Sequence, residues 1–377
     1  MNELHSILDA WRGLEGGHRK AVLATVVHVS GSAYRRPGAR MWIGSDGTRI
    51  GSVSGGCLES ELAKRAWWLT ESEKPALRVY DTSSDEDAVW EFGLGCNGIV
   101  QVLLERAESR TLAPALEFLD AHRYVPVVMA TITASAHHPV GNRAYFDGRN
   151  LTGDAFVANA LESEIRTAYR KGGSCFARSP QFDAFVEWIA PPQRLVVFGA
   201  GHDARPLVTM AKQLGWNVTV ADGRPAYACA ANFPDADRVV LFQAADPLAG
   251  LGIGEKTAVV LMTHNYPLDS RLLPAVLERK PLYLGLLGPK SRTNTLLAEN
   301  GLVQPANIHG PAGLDLGGDT PASVALSILS EMEAVLNSRS GGQLRNRIGA
   351  IHTAPMESGQ AVVPTTMAAP AYCEWNA

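Results

Sequence analysis

Apolar positions recur along this chain with two periods, and the places where the period changes divide it. Leu4, Ile7, Leu8 and Trp11 fall at i, i+3, i+4 and i+7, one face of an opening helix. Residues 21–29 are rich in β-branched side chains and predict a strand. From Gly31 to Gly51 short β-like pieces alternate with turn residues, and Ser45-Asp46-Gly47-Thr48 predicts a hairpin. A helical pattern through Leu58, Leu62, Ala66 and Leu69 opens on Ser54-Gly55-Gly56-Cys57, which puts Cys57 at or near a helix N-terminus. Strands are expected over 76–80 and 99–104, a helix over 112–119, and strands over 125–132 and 143–146. A helix over 156–169 and a strand over 182–189 close this mixed stretch.

Pro191-Pro192 breaks the pattern and marks a domain boundary. Beyond it strands and helices alternate strictly. Strands are expected at 194–198, 217–221, 238–242, 258–262 and 283–287, with helical patterns at 204–214, 268–278 and 291–299. Such alternation predicts a doubly wound parallel sheet. Thr320-Pro321 supplies an N-cap and first helical residue for a last helix over 322–336. After Asn337 periodicity is lost and a mobile tail is expected. No internal repeat is legible. The expected fold is therefore α/β, an N-terminal mixed α+β domain over 1–190 followed by a Rossmann-like domain over 193–337 and a tail over 338–377.

Composition narrows the function. A chain of 377 residues that is 46% hydrophobic and 19% charged suggests two or three domains, each able to bury a sizeable core. Lys+Arg 34 against Asp+Glu 38 leaves a net charge of −4, so no global positive field favours nucleic acid or an anionic membrane. The opening residues lack a basic segment followed by an apolar run, and no stretch reaches the roughly 18 apolar residues of a membrane span. A reducing cytoplasm is the expected compartment. The five cysteines are odd in number and form no CxxC pair, which argues against a disulfide scaffold and a zinc knot.

The 36 glycines cluster beside candidate chemistry. Leu195 to Phe198 runs into Gly199-Ala200-Gly201-His202-Asp203-Ala204, a GxGxxA loop between strand and helix. Gly199 allows the tight turn and Gly201 the approach of a pyrophosphate, while the helix N-terminus attracts the anion. Asp222, at the end of the next strand, suits a ribose diol, whereas Arg224 suits a 2′-phosphate, so NAD and NADP stay open. His202 and His264 are the nearest candidates for polarising a substrate. Cys57 and Cys96 both sit in glycine-rich turns; a helix N-terminus lowers a thiol's pKa, making it a soft metal ligand, a sulfur acceptor or a nucleophile. Cys175, Cys229 and Cys373 lack that context. The loop from Gly31 to Arg40 adds Ser32, Arg35 and Arg40, whose guanidinium forks suit phosphate or a heterocycle edge.

On these residues the chain resembles the XdhC/CoxI family, maturation factors of molybdenum hydroxylases such as xanthine dehydrogenase. The resemblance rests on Ser32, Arg35 and Pro37-Gly38-Ala39, on Gly51 through Glu59 with Gly55-Gly56-Cys57 inside it, and on Gly95-Cys96. In the second half it rests on Phe198-Gly199-Ala200-Gly201-His202, Thr263-His264, Gly285-Leu286-Leu287-Gly288 and Gly313 to Gly317. It implies a protein that binds the molybdenum cofactor, as molybdopterin or its dinucleotide. Such a factor holds the cofactor while a terminal ligand is exchanged for sulfur and delivers it to an apo molybdenum hydroxylase. Cys57 and Cys96 would face the metal, with a cysteine desulfurase as a further partner and a homodimer as one assembly. Two other classes compete: an NAD(P)-dependent oxidoreductase, motivated by the GxGxxA loop and Asp222, and a thiolate metal-delivery protein.

Overall fold

The computed structural model describes residues 3–14, 20–31, 33–81, 98–303, 305, 307–348 and 356–358. The chain groups into two units, one of residues 19–118, 126–190 and 354–377, the other of 191–353 with 1–18 and 119–125. The opening helix, Glu3–Arg12, thus belongs with the C-terminal unit, where Arg123 bonds Asp9 at 2.6 Å.

The first unit holds two sheets. In one, β1 (Ala21–Gly31), β2 (Arg40–Gly44) and β3 (Arg49–Gly51) form a meander; a helix, Cys57–Leu69, follows, then β4 (Ala76–Asp81) and β5 (Gly98–Arg106). The strand order is β3-β2-β1-β5-β4, antiparallel throughout. The expected hairpin at 45–48 joins β2 to β3. After the helix Ala113–Ala121 come β6 (Val127–Ser135), β7 (Arg143–Phe146), β8 (Leu151–Gly153), helices Ala155–Ala160 and Glu162–Lys171, β9 (Cys175–Arg178) and β10 (Phe182–Ile189). Where one helix over 156–169 is expected, Leu161 ends the first and begins the second. The second sheet runs β8-β7-β6-β10-β9, and Met356–Ser358, from the tail expected to be mobile, pairs parallel with β9.

These two sheets are the same structure twice, a correction to the expectation of no repeat. β1 to β5 correspond to β6 to β10 in order, direction and register. Val26 N donates to the Ala39 carbonyl and Gly38 N to that of Val26; Ile132 and Asn142, then Gly141 and Ile132, repeat both bonds. Met41 pairs with Gly51 as Ala144 pairs with Gly153, and both glycines have positive φ. Each half bulges at one place: pairing skips Val27 between Val26 and His28, and Thr133 between Ile132 and Ala134.

The halves also exchange buried ion pairs. Arg40, at the start of β2, donates to Glu187 of β10 at 2.8 and 2.5 Å. Arg143, at the start of β7, donates to both carboxylate oxygens of Glu105 of β5, at 2.9 Å to Oε1. Each arginine also bonds the carbonyl two residues before it, of Gly38 and Gly141. A β-carbon at Gly38 would lie 2.8 Å from a Glu187 carboxylate oxygen and one at Gly141 3.0 Å from a Glu105 oxygen, so glycine leaves the room that both carboxylates fill. Val27, Leu103 and Phe185 form the apolar patch between the sheets. On the outer faces, the Cys57–Leu69 helix packs Leu58, Leu62 and Ala66 on the first sheet, and the paired helices pack Val157, Leu161 and Ile165 on the second.

The second unit matches the expected alternation. β11 (Arg194–Phe198), β12 (Asn217–Asp222), β13 (Arg238–Leu241), β14 (Thr257–Leu261), β15 (Tyr283–Leu286) and β16 (Ile308–His309) lie in the order β13-β12-β11-β14-β15-β16, all parallel. This is the Rossmann order, with the reversal between β11 and β14. Helices Ala204–Gln213 and Pro321–Leu336 pack Leu207, Val208, Ile328 and Met332 on one face. Tyr266–Glu278 and Lys290–Glu299 pack Leu272, Val276 and Leu296 on the other. Thr320 caps the last helix in a reciprocal pair with Ser323.

Candidate functional site

Three connections leave one end of the first sheet. Its markers are Gly31, paired with Gly98; Arg40, paired with Thr25; Gly51, paired with Met41; and Asp81, paired with Ile99. The connection from Gly51 to the helix is the best defined. Glu59 reaches back from the first turn: one carboxylate oxygen accepts from the Val53 and Ser54 amides at 3.0 and 2.7 Å, the other from the Ser54 hydroxyl at 2.5 Å. Ser54 Oγ in turn accepts from the Gly56 and Leu58 amides at 3.2 and 3.1 Å. Orphan donors of the helix start are thus satisfied from inside the loop. Burial pushes the Glu59 carboxyl up, but the hydrogen bonds from Ser54 and the neighbouring amides outweigh it and hold the group below its ordinary value.

The knot fixes Gly55 and Gly56, both exposed, ahead of Cys57, the first residue of the helix. Gly56 has φ +122°, a conformation that a side chain would strain. Across the loop lies Tyr34, whose ring atoms are 3.7–3.9 Å from where a Gly55 β-carbon would stand. Arg35 follows it, half-buried. Gly55, Gly56, Cys57 and the Arg35 loop are therefore brought together at this end. Ser32 and Cys96 lie outside the described residues; Gly98, two residues after Cys96, is at the same end.

Arg40 calls for a correction. The sequence suggests a guanidinium open to a cofactor; the structure commits it to Glu187, with the side chain 7% exposed. Its part is to end the loop that carries Tyr34 and Arg35. Cys175 is buried in the second half's core and Cys229 is exposed, while Cys373 lies outside the described residues.

In the Rossmann unit, Gly199 has φ +110°, and a β-carbon there would fall 2.3 Å from the Met262 carbonyl oxygen, so the loop after β11 lies tight against the loop after β14. Gly201 and the exposed His202 follow in the same turn. Asp222 is buried and its carboxylate is already engaged, by the Ala200 amide at 2.8 Å and by the Arg224 amide and guanidinium at 2.7–2.9 Å. Burial raises its pKa, but these bonds prevail and keep it below the usual carboxylate value. Arg224, considered for a 2′-phosphate, is thus the partner of the residue considered for the diol. His264, with φ +54°, bonds Asp203 at 2.7 Å across the two loops at the strand-order reversal.

Sequence reasoning passes over Tyr34, Glu59, Asp203 and Glu187. Only Glu59 leaves a local signal: it follows Ser54 by five residues, wider than a capping box, because two glycines intervene. Among the described residues no group of three or more His, Cys, Asp or Glu side chains could hold a metal, and no helix is long and apolar enough to cross a membrane.

Two stretches of the chain match known family models. Residues 195–332 match the family model described as the XdhC Rossmann domain, and residues 15–81 that of the XdhC and CoxI family. A Bacillus subtilis (strain 168) protein described as a probable xanthine dehydrogenase subunit is 32% identical over 336 residues, 88% of this chain and 97% of that one. The Escherichia coli (strain K12) molybdenum cofactor insertion chaperone PaoD is 27% identical over 322 residues, 84% of this chain and 83% of that one. A crystal structure described as a xanthine dehydrogenase from Bacillus halodurans has a TM-score of 0.75 at 32% identity, covering 90% of this chain and 97% of that one.

Proposed function

Because the chain belongs to the XdhC and CoxI family, we propose that it is a molybdenum cofactor chaperone for a hydroxylase of the xanthine dehydrogenase type. It binds the cofactor as cargo, holds it while a terminal oxygen ligand is replaced by sulfur, and passes it to the apo-enzyme. The observation that carries this reading is the Ser54–Glu59 knot, which fixes the exposed Gly55 and Gly56 directly ahead of Cys57 at the sheet end reached by Tyr34 and Arg35. A thiolate suits a soft metal, and an arginine fork suits a phosphate. Cys57 and Cys96 are the proposed metal-facing thiols, Ser32, Arg35, Gly55 and Gly56 the groups around the pterin and its phosphate, and a cysteine desulfurase the sulfur source.

The glycine loop at Gly199, Gly201 and His202 is proposed as a nucleotide seat of its own unit. A nicotinamide dinucleotide is the weaker occupant, because the Asp222 carboxylate that would read its ribose is filled by Arg224 and Ala200. A cytoplasmic location, where thiols stay reduced, is part of this proposal.

The test is to produce the protein with the cofactor supplied and measure bound molybdenum and pterin, and then activation of an apo-hydroxylase. Wild type and Cys175→Ala should retain cofactor alike, and Cys57→Ala should lose at least about tenfold, since a metal–thiolate contact is worth more than the 1.4 kcal/mol that tenfold represents. Absence of both retention and activation in the wild type would refute the reading.

A further inference from the structure

The duplication allows one end of the first sheet to be compared with the same end of the second. In the second half the loop from β6 to β7 carries His138, which stacks on Phe156 of the following helix start, centroids 3.5 Å apart and planes within 15°. Phe156 meets Phe182, the first residue of β10, edge to face at 5.5 Å. That end is closed by three rings packed on one another. In the first half the corresponding loop carries Tyr34, but the helix start beneath it offers Gly55 and Gly56 in place of a ring. Tyr34 lies against the glycine backbone on one side and is 72% exposed. An exposed aromatic of this size, lying over a glycine and with no ring stacked on it among the described residues, is a stacking platform: flat π-faces attract one another by dispersion and offset quadrupoles.

We propose that Tyr34 stacks on the planar fused-ring part of the ligand, a pterin. Arg35 follows Tyr34 in the loop and Gly55 lies against its ring, and an arginine suits the polar edge and phosphate of such a ligand. The inference rests on the cofactor reading for the identity of the heterocycle, and on the duplicated geometry for the place and the contact. The ligand is then gripped at two separate points, its rings by Tyr34 and its metal by thiol. Loss of one leaves the other measurable.

The experiment uses the full chain and a molybdenum-free pterin, neopterin, titrated by quenching of pterin fluorescence, in parallel with retention of the complete cofactor. Wild type, Tyr34→Phe and His138→Ala should bind neopterin alike, while Tyr34→Ala should bind about tenfold to a hundredfold more weakly, the range that removal of one stacked ring produces. Equal binding by wild type and Tyr34→Ala overturns the proposal while leaving the chaperone reading intact. Retention of complete cofactor by a wild type that ignores neopterin overturns it as well, since the cargo would then be held by its metal and phosphate alone. A wild type that retains no cofactor removes the chaperone reading, and the neopterin titration still decides the role of Tyr34.

Discussion

The two halves of the N-terminal unit share a frame and differ at one end. Both have the meander, the bulge after Val26 or Ile132, the glycine two residues before an arginine, and the glutamate of the opposite half that receives it. They differ most in length at two connections. Five residues, 52–56, separate β3 from its helix, against Asp154 alone in the second half; sixteen residues, 82–97, separate β4 from β5, against three between β9 and β10. Cys57 follows the first extension and Cys96 lies in the second. The buried frame is therefore what a duplicated fold must keep, and the candidate chemistry has been added where one copy was lengthened. The second copy closes the equivalent place with rings.

The sharpest way to break the comparison is through the exchanged ion pairs. Glu187→Gln and Glu105→Gln each leave a buried guanidinium facing a neutral amide, which costs about 3–5 kcal/mol in either half. Denaturant unfolding should register nearly equal losses. Cofactor retention, measured where both variants remain folded, should fall only for Glu187→Gln, because Arg40 ends the loop bearing Tyr34 and Arg35 whereas Arg143 ends the loop bearing His138. Equal retention in the two variants would mean that the loop holds its shape without Arg40.

A smaller effect tests the aromatic closure. Phe156 packs against His138, Phe182 and the core of the second half, and Phe156→Ala should destabilise by about 1–3 kcal/mol, less than full core truncation because the ring is half-buried. Tyr34→Ala, at the matching end, should change stability by about 0.5 kcal/mol or less, as exposed positions do. Thermal unfolding of both variants measures the contrast. A destabilisation by Tyr34→Ala as large as that by Phe156→Ala would make its ring part of the fold and not a platform.

Much of this was legible in the sequence and the rest was hidden for identifiable reasons. Periodicity placed most strands and helices, since each buries a face, but not the short strands β8, β9 and β16; Gly199 to Ala204 with Asp222 located the Rossmann loop, and Ser54 to Cys57 located a helix start. The repeat was not legible because its halves share few aligned residues, among them Ala24-Thr25 with Ala130-Thr131, Gly38 and Arg40 with Gly141 and Arg143, and Glu105 with Glu187, and the unequal loops shift every later spacing. Arg40 read as an open guanidinium because its partner lies 147 residues away. Asp222 and Arg224 read as two rival contacts for a ribose, and two residues of separation let them satisfy each other instead.

The smallest effect concerns the knot itself and has a sign that can be worked out. The Glu59 carboxyl is held below its ordinary value in the folded chain, so its contribution is present above its unfolded pKa and is lost as pH falls through the lower folded value. Neutral and mildly acidic solutions should leave the loop closed, and only stronger acid should release Val53, Ser54, Gly56 and Leu58. The twin supplies the reference: Asp154 accepts only the Val157 amide and the Asn142 side chain there, with no glycine loop to hold. Glu59→Gln should open the first half's loop at neutral pH, at about 1 kcal/mol or less because the group is partly screened by solvent. Amide exchange protection at Ser54 and Leu58, measured against Val157 in the same sample, reads this directly. Protection that survives the substitution would assign the loop's shape to its backbone alone and leave Glu59 without a part in presenting Cys57.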